Sequence, residues 1–254
     1  MSLDPMTLVS GPELLLAALM FLAAMLYASV GHAGASAYLA LMVLFSVSPA
    51  VMRPTALVLN IIVASVVATK FYRAGHFRFA LFWPFALGAI PLAFVGGFIQ
   101  PPTTLYRPLV GIVLLAGATR LLWPGEMKIG ETTRDPPIWL AMLSGAIIGL
   151  LSGLTGTGGG IFLSPLLLMA GWSSIRGASA TAAVFILCNS IAGLLGNLSS
   201  VQALPGAVFL FAGAALCGAM IGARLGIRLF DNRGILRALG VVLLIAAIKL
   251  IGFY

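Results

Sequence analysis

Residues 153–165 read GLTGTGGGIFLSP, placing five glycines and two threonines in an apolar stretch where a helix would otherwise run. Each interior glycine costs a helix about 1 kcal/mol relative to alanine, so a cluster this dense interrupts it. A sparser counterpart, GHAGASAYL, occupies residues 31–39. The surroundings of the two clusters decide whether they are loops in water or breaks at membrane depth.

Hydrophobic residues make up 61% of the 254 and charged residues only 8%, too few to cover an aqueous surface. The chain therefore reads as an all-α, polytopic integral membrane protein. The run from Gly177 to Ala223 contains no Asp, Glu, Lys, Arg or His and can hold two spans of about 20 residues each. The pI of 10.2 carries no implication of nucleic acid, because the positive charges sit in short loops, where they set orientation. Cys188 and Cys217 fall inside apolar segments and read as two small buried side chains rather than a disulfide. The run 14–30 is preceded by Asp4 and Glu13 and by no Lys or Arg, the wrong charge for a secretory signal, and reads as mature structure.

Gly/Pro clusters and charges divide the chain into ten apolar segments: 14–30, 36–47, 54–69, 77–99, 106–122, 138–153, 161–171, 178–196, 204–223 and 235–252. They form two sets of five, a first membrane repeat over 1–123 and a second over 138–254, with the polar stretch 124–137 as a cytoplasmic linker. Gly31 and Gly156, Gly34 and Gly159, Gly88 and Gly213, and Gly97 and Gly222 are each 125 residues apart. Chance would give about one such coincidence. Beyond a four-residue insertion, Gly111 matches Gly240 and Arg120 matches Lys249, 129 apart. Asn60 and Asn189 share that second spacing, although they precede the insertion.

An odd number of crossings per repeat would invert the second copy, and basic residues would then gather in non-equivalent loops. They do. Lys70, Arg73 and Arg78 follow the third segment, whereas 197–203, after the eighth, carries no charge. Arg107 alone follows the fourth, against Arg224, Arg228, Arg233 and Arg237 after the ninth. With both termini outside, those seven join Arg120, Lys128, Arg134 and Arg176 in the cytoplasm, leaving Arg53, Arg107 and Lys249 outside. Two inverted five-segment repeats follow as the expected architecture. Gly145, Gly149 and Gly153, and likewise Gly218, Gly222 and Gly226, recur every four residues and put small residues on one face for close helix packing.

The second and seventh segments are too short to span. Ser36 to Val47 makes a helix of about 18 Å against a hydrocarbon core of about 30 Å, and the seventh contains Pro165. Paired, Gly-preceded broken or re-entrant helices at matching positions point to a transporter's binding site. Gly156, Gly158, Gly159 and Gly160 permit positive φ and let main-chain N–H groups face a ligand at a helix N-terminus, an arrangement suited to an anion. Thr155, Thr157, Ser36 and Ser164 offer hydroxyl donors, and Gly31, His32 and Gly34 supply the facing half, with His32 as proton carrier or simple donor. Close helix crossing and a satisfied interior histidine are the alternative account of the same residues. Asn60, Asn189 and Ser190, with Ser65 nearby, are either interhelical glue or ligand contacts. Arg53 and Arg176 read as interfacial anchors first and anion-steering charges second.

The carboxylates Asp4, Glu13, Glu126, Glu131, Asp135 and Asp231 all lie outside the apolar interiors, which weakens cation transport. The runner-up reading is a metal-cation or neutral-solute permease of the same architecture, which would need an acidic or Met/His cluster at depth. An intramembrane enzyme finds no general acid–base set, and no Gly-x-x-x-x-Gly-Lys-Ser/Thr loop occurs to bind ATP. No cofactor or catalytic residue is expected. The expected partners are a small anionic solute and the lipid bilayer; a homodimer is left open.

GLTGTGGGIFLSPLLLMAG, followed by GASATAAVFILCNSIAGLLG, resembles the sulfite exporter TauE/SafE family, also called the four-toluene sulfonate uptake permease family, and the resemblance covers essentially the whole chain. In the first half Ala33, Ala35 and Ala40 stand where Gly158, Gly160 and Pro165 stand later, while Thr55–Ala56 echoes Thr181–Ala182. The resemblance implies a secondary transporter that moves small sulfur-containing anions, such as sulfite or organosulfonates, across the bacterial inner membrane.

Overall fold

The structure, a computed structural model, describes residues 11–122, 134–198, 204, 206–225 and 233–252. Ten helices occur among them, one in each expected apolar segment: α1 (Gly11–Ser29), α2 (Ala35–Leu44), α3 (Pro49–Arg73), α4 (Phe79–Phe98), α5 (Thr103–Leu122), α6 (Ile138–Thr155), α7 (Gly160–Met169), α8 (Ile175–Gly196), α9 (Val208–Leu225) and α10 (Arg233–Gly252). Six of them, α1, α3, α4, α6, α8 and α9, are long and apolar enough to cross a membrane, whereas α2 and α7 have only ten residues, about 15 Å. Leu22, Phe94, Phe98, Ile112, Leu143, Ile147, Leu195, Phe209 and Ile248 project from the outside of the bundle, as side chains bathed in lipid do and those of a water-soluble domain rarely do at this density. The protein is a multi-pass, all-helical membrane protein.

The two halves interlock. Cβ atoms built at Gly145, Gly149 and Gly153 of α6 would strike the backbone of Phe85, Ala89 and Ala93 of α4, so α4 and α6 run side by side in the same direction at backbone contact distance. Gly218 and Gly222 of α9 meet Phe21 and Met25 of α1 in the same way. Each four-residue glycine repeat is thus a helix-crossing seam, though Gly226 lies outside the described residues. On α5 and α10, by contrast, Gly111 lies against Leu250 and Ile251 and Gly117 against Leu243, so these helices run antiparallel. The first helix of each half packs on the fourth of the other, and the third helices, α3 and α8, pack together.

The Arg134 amide donates to the Gly171 carbonyl at 3.1 Å, so α6 and α7 form a hairpin that leaves from the end it entered. That end also holds the Arg78–Asp135 ion pair, 2.9 Å apart and well exposed. At another point of the bundle, Lys249 Nζ donates to Val43 O at 2.8 Å, to Leu44 O at 3.2 Å and to Ser46 Oγ at 3.2 Å, closing the carbonyl end of α2. Two expectations need correction. Cys217 is exposed on α9 instead of buried, because its face of the helix points away from α1; Cys188 is partly buried, and both thiols are free. Asp4, Glu126, Glu131, Asp231, Lys128 and Arg228 lie outside the described residues, as do the side chains of Arg120, Arg233 and Arg237.

Candidate functional site

The glycine cluster GTGGG breaks the chain where the sequence requires it. Gly156 ends α6 at φ 84°, Gly158 follows at 74° and Gly159 caps α7 at 80°, all in the left-handed region that a side chain disfavours. Only the first amide of the loop is spent, from Gly156 to Ser152 O at 2.8 Å; among the described residues those of Thr157, Gly158, Gly159 and Gly160 meet no acceptor. Side chains from both halves close on these amides. A Cβ at Gly158 would stand 2.7 Å from Asn60 Nδ2 and 3.1 Å from Ser190 Oγ, and one at Gly159 would stand 3.5 Å from Asn189 Nδ2.

Asn60, Asn189 and Ser190 are fully buried, and neither amide group nor the Ser190 hydroxyl has a hydrogen-bond partner among the described residues. A buried polar group left unpaired costs about 1–3 kcal/mol, so three around one loop are poor packing residues. Thr155 Oγ1 donates to Leu151 O at 2.6 Å and shares a 2.9 Å bond with Thr157 Oγ1, which fixes the rim of the loop.

The first-half loop is built differently. Gly31 and Gly34 take φ 84° and 94°, and Ala33, Gly34 and Ala35 also keep their amides unpaired among the described residues. Here tyrosines fill the space. Tyr38 Oη donates to Ala33 O at 2.7 Å, and Tyr27 Oη lies 2.8 Å from Ser36 Oγ, so the Ser36 hydroxyl is engaged. His32 leaves this loop for the other half: its Nε2 is 2.9 Å from Ser164 Oγ on α7, and its ring lies about 3.6 Å from where a Gly160 Cβ would be. Of the proposed site residues, Asn60, Asn189, Ser190 and His32 thus reach the second loop, while Gly31 and Gly34 stay at the first, against Ser179 and Tyr38. Ser36 does not join them, and Ser65 bonds its own helix at Ile61 O, 2.6 Å away.

Arg53 departs most from its expected role as an interfacial anchor. It is only 5% exposed, because α3 begins five residues earlier than the sequence suggested and draws it inside. Its guanidinium donates to Ile99 O at 2.9 Å, Gly96 O at 2.6 Å and Gly97 O at 2.5 Å, closing the carbonyl end of α4, while its own carbonyl and Cγ lie against Gly156. Asp135 pairs with Arg78 and not with it. Arg176 is exposed. Ser179, 126 residues beyond Arg53, abuts Gly31 as Arg53 abuts Gly156, so the two halves use one contact scheme with different side chains.

The pattern that defines the family described as sulfite exporter TauE/SafE matches residues 16–250. The chain belongs to that family. A Sinorhizobium fredii (strain NBRC 101917 / NGR234) protein named "Probable membrane transporter protein y4hK" is 36% identical over 239 residues, 93% of this chain and 97% of the relative. No solved structure matches. This TauE/SafE member is a membrane transporter, and the residues just described are the candidates for its substrate path. Sequence reasoning missed Tyr27, Tyr38 and Tyr106, whose Oη donates to Thr155 O at 3.2 Å, and the fully buried, unpartnered Thr55, Thr181 and Ser152. The 126-residue spacing of the two Thr-Ala steps was the available signal for Thr55 and Thr181.

Proposed function

We propose that this transporter moves a small sulfur-containing oxyanion, such as sulfite or an organosulfonate, across the bacterial inner membrane by alternating access. The observation that carries the reading is the second loop: four unpaired amides at a helix start, faced by unpartnered Asn60, Asn189 and Ser190, with buried Arg53 behind them. Oxyanions accept several hydrogen bonds and carry the charge that a buried cation favours. The two halves, 1–123 and 138–254, act in this reading as inverted repeats joined through 124–137, with both termini outside. The antiparallel α5/α10 contact and the reciprocal packing of α1 on α9 and α4 on α6 support inversion, since a parallel repeat would align α5 with α10. Arg78, Asp135 and Arg134 would then mark the cytoplasmic end.

The test is flux into liposomes containing purified protein, measured against a panel of sulfite, methanesulfonate, sulfate and chloride. Sulfite or methanesulfonate should cross and compete with each other. If neither does, the substrate class is wrong.

A further inference from the structure

We infer that the second loop selects an oxyanion that still carries a proton, the monoanion hydrogensulfite in place of the sulfite dianion; the inference rests on the anion reading above and narrows it. Behind it stands an excess of acceptors. A solute ionised at every oxygen can only accept, so it satisfies the loop amides, the Nδ2 groups of Asn60 and Asn189 and the Ser190 hydroxyl. Each asparagine also buries an Oδ1, and both Oδ1 atoms are without a donor among the described residues. The dianion leaves both orphaned. A solute with an O–H group fills one of them.

The helix backbone does not absorb these polar groups. Ser65, Ser144 and Thr155 donate to the carbonyl four residues earlier, at 2.6, 2.7 and 2.6 Å, whereas Ser190 makes no such bond. Asn60 Nδ2 and Ser190 Oγ stand 2.7 and 3.1 Å from one point, the place of a Gly158 Cβ, so the missing side chain leaves both facing the loop. A hard cation would also answer to bare oxygens, but it takes about six of them, and the unpartnered side chains shown against this loop are those of Asn60, Asn189 and Ser190. Charge points the same way. Among the described residues Arg53 is the buried side chain with a fixed charge, and one guanidinium balances a monoanion better than a dianion. Hydrogensulfite therefore sits with its ionised oxygens on the amides and its O–H toward an asparagine Oδ1.

The experiment is sulfite uptake by the full chain in liposomes, with the same pH on both sides, over a series of pH values above the second ionisation of sulfite, where leak as sulfur dioxide is least. Methanesulfonate is the reference: it has the charge of hydrogensulfite but no O–H and nothing to titrate, so its KM reports any titration of the protein itself, at His32, Tyr106 or Cys188 for example. The KM for total sulfite divided by that for methanesulfonate should rise about tenfold per pH unit, as the protonated fraction falls. Expressed per hydrogensulfite, KM should lie about tenfold or more below that of methanesulfonate, as one buried hydrogen bond predicts. In Asn60→Leu or Asn189→Leu, whichever removes the accepting Oδ1, that preference should shrink to near parity while both solutes bind more weakly. A ratio that is flat or falls with pH, hydrogensulfite held no better than methanesulfonate, or a preference intact in both variants overturns the proton-bearing solute and leaves anion transport standing. Methanesulfonate uptake with an absolute need for sodium does the same, since it assigns the acceptors to a cation. The wild-type pH series decides alone if neither variant assembles. Absence of flux for sulfite and methanesulfonate alike overturns the anion reading and this inference together.

Discussion

The loops at 31–34 and 155–160 share glycine spacing, left-handed backbone and unpaired amides, yet one is sealed and the other is left open to chemistry. Around the first, tyrosine hydroxyls occupy Ala33 O and Ser36 Oγ. Around the second, two asparagines and a serine stand buried and unpartnered, and an arginine fixes the neighbouring helix end. Similar backbone breaks thus carry different side chains in the two loops. In the inverted-repeat reading proposed above, both loops would break the helices and only the second would hold the solute.

Several substitutions would break or sharpen that contrast. The largest effect is expected from Gly159→Val: a side chain at φ 80° would press on Ile148 and Phe185, and sulfite flux should vanish while the protein still reaches the membrane. Retained flux would return this glycine to packing. Arg53→Met removes three carbonyl bonds from a charged donor, each worth about 1.5–3 kcal/mol, and should lower both Tm in detergent and flux; Arg53→Lys should recover only part of each because it lacks the guanidinium fork. Asn60→Leu separates function from stability. Replacing an unpaired buried amide with an apolar group should leave Tm unchanged or higher, while anion affinity falls about tenfold or more, as loss of one good hydrogen bond predicts. A lower Tm with unchanged affinity would make Asn60 glue. At the sealed loop, Tyr27→Phe should cost about 1 kcal/mol of stability and leave transport near wild type, since it removes the hydroxyl that holds Ser36. A transport loss there as large as that of Asn60→Leu would erase the distinction between the loops. The smallest change is expected for Arg78→Ala, which breaks an exposed pair worth less than about 1 kcal/mol.

Much of the frame was legible in the residues. The ten helices among the described residues fall on the apolar segments, the short α2 and α7 follow the glycine clusters, and the described glycines of the four-residue repeats on α6 and α9 mark backbone crossings. Arg53 was misread because Arg beside Pro54 looks like a helix start at the lipid surface; the helix actually begins at Pro49, a residue suited to the first turn. The role of Ser36 was misjudged for another reason: its partner Tyr27 lies nine residues away across a turn, a contact no spacing rule announces.

The sequence alone determined that this chain lives in a bilayer, where its helices run and where they break, because those properties depend on local composition, on apolar run length and on glycine's freedom at positive φ. Only the tertiary structure decided which polar groups meet at the breaks. His32 reaches Ser164 across 132 residues and Lys249 reaches Val43 across 206, and nothing local encodes such meetings. The physical reason is the solvent: helices that are apolar all round, whether they face lipid or each other, carry no amphipathic stripe to say which side turns inward, so close packing and the pairing of rare polar side chains must settle it.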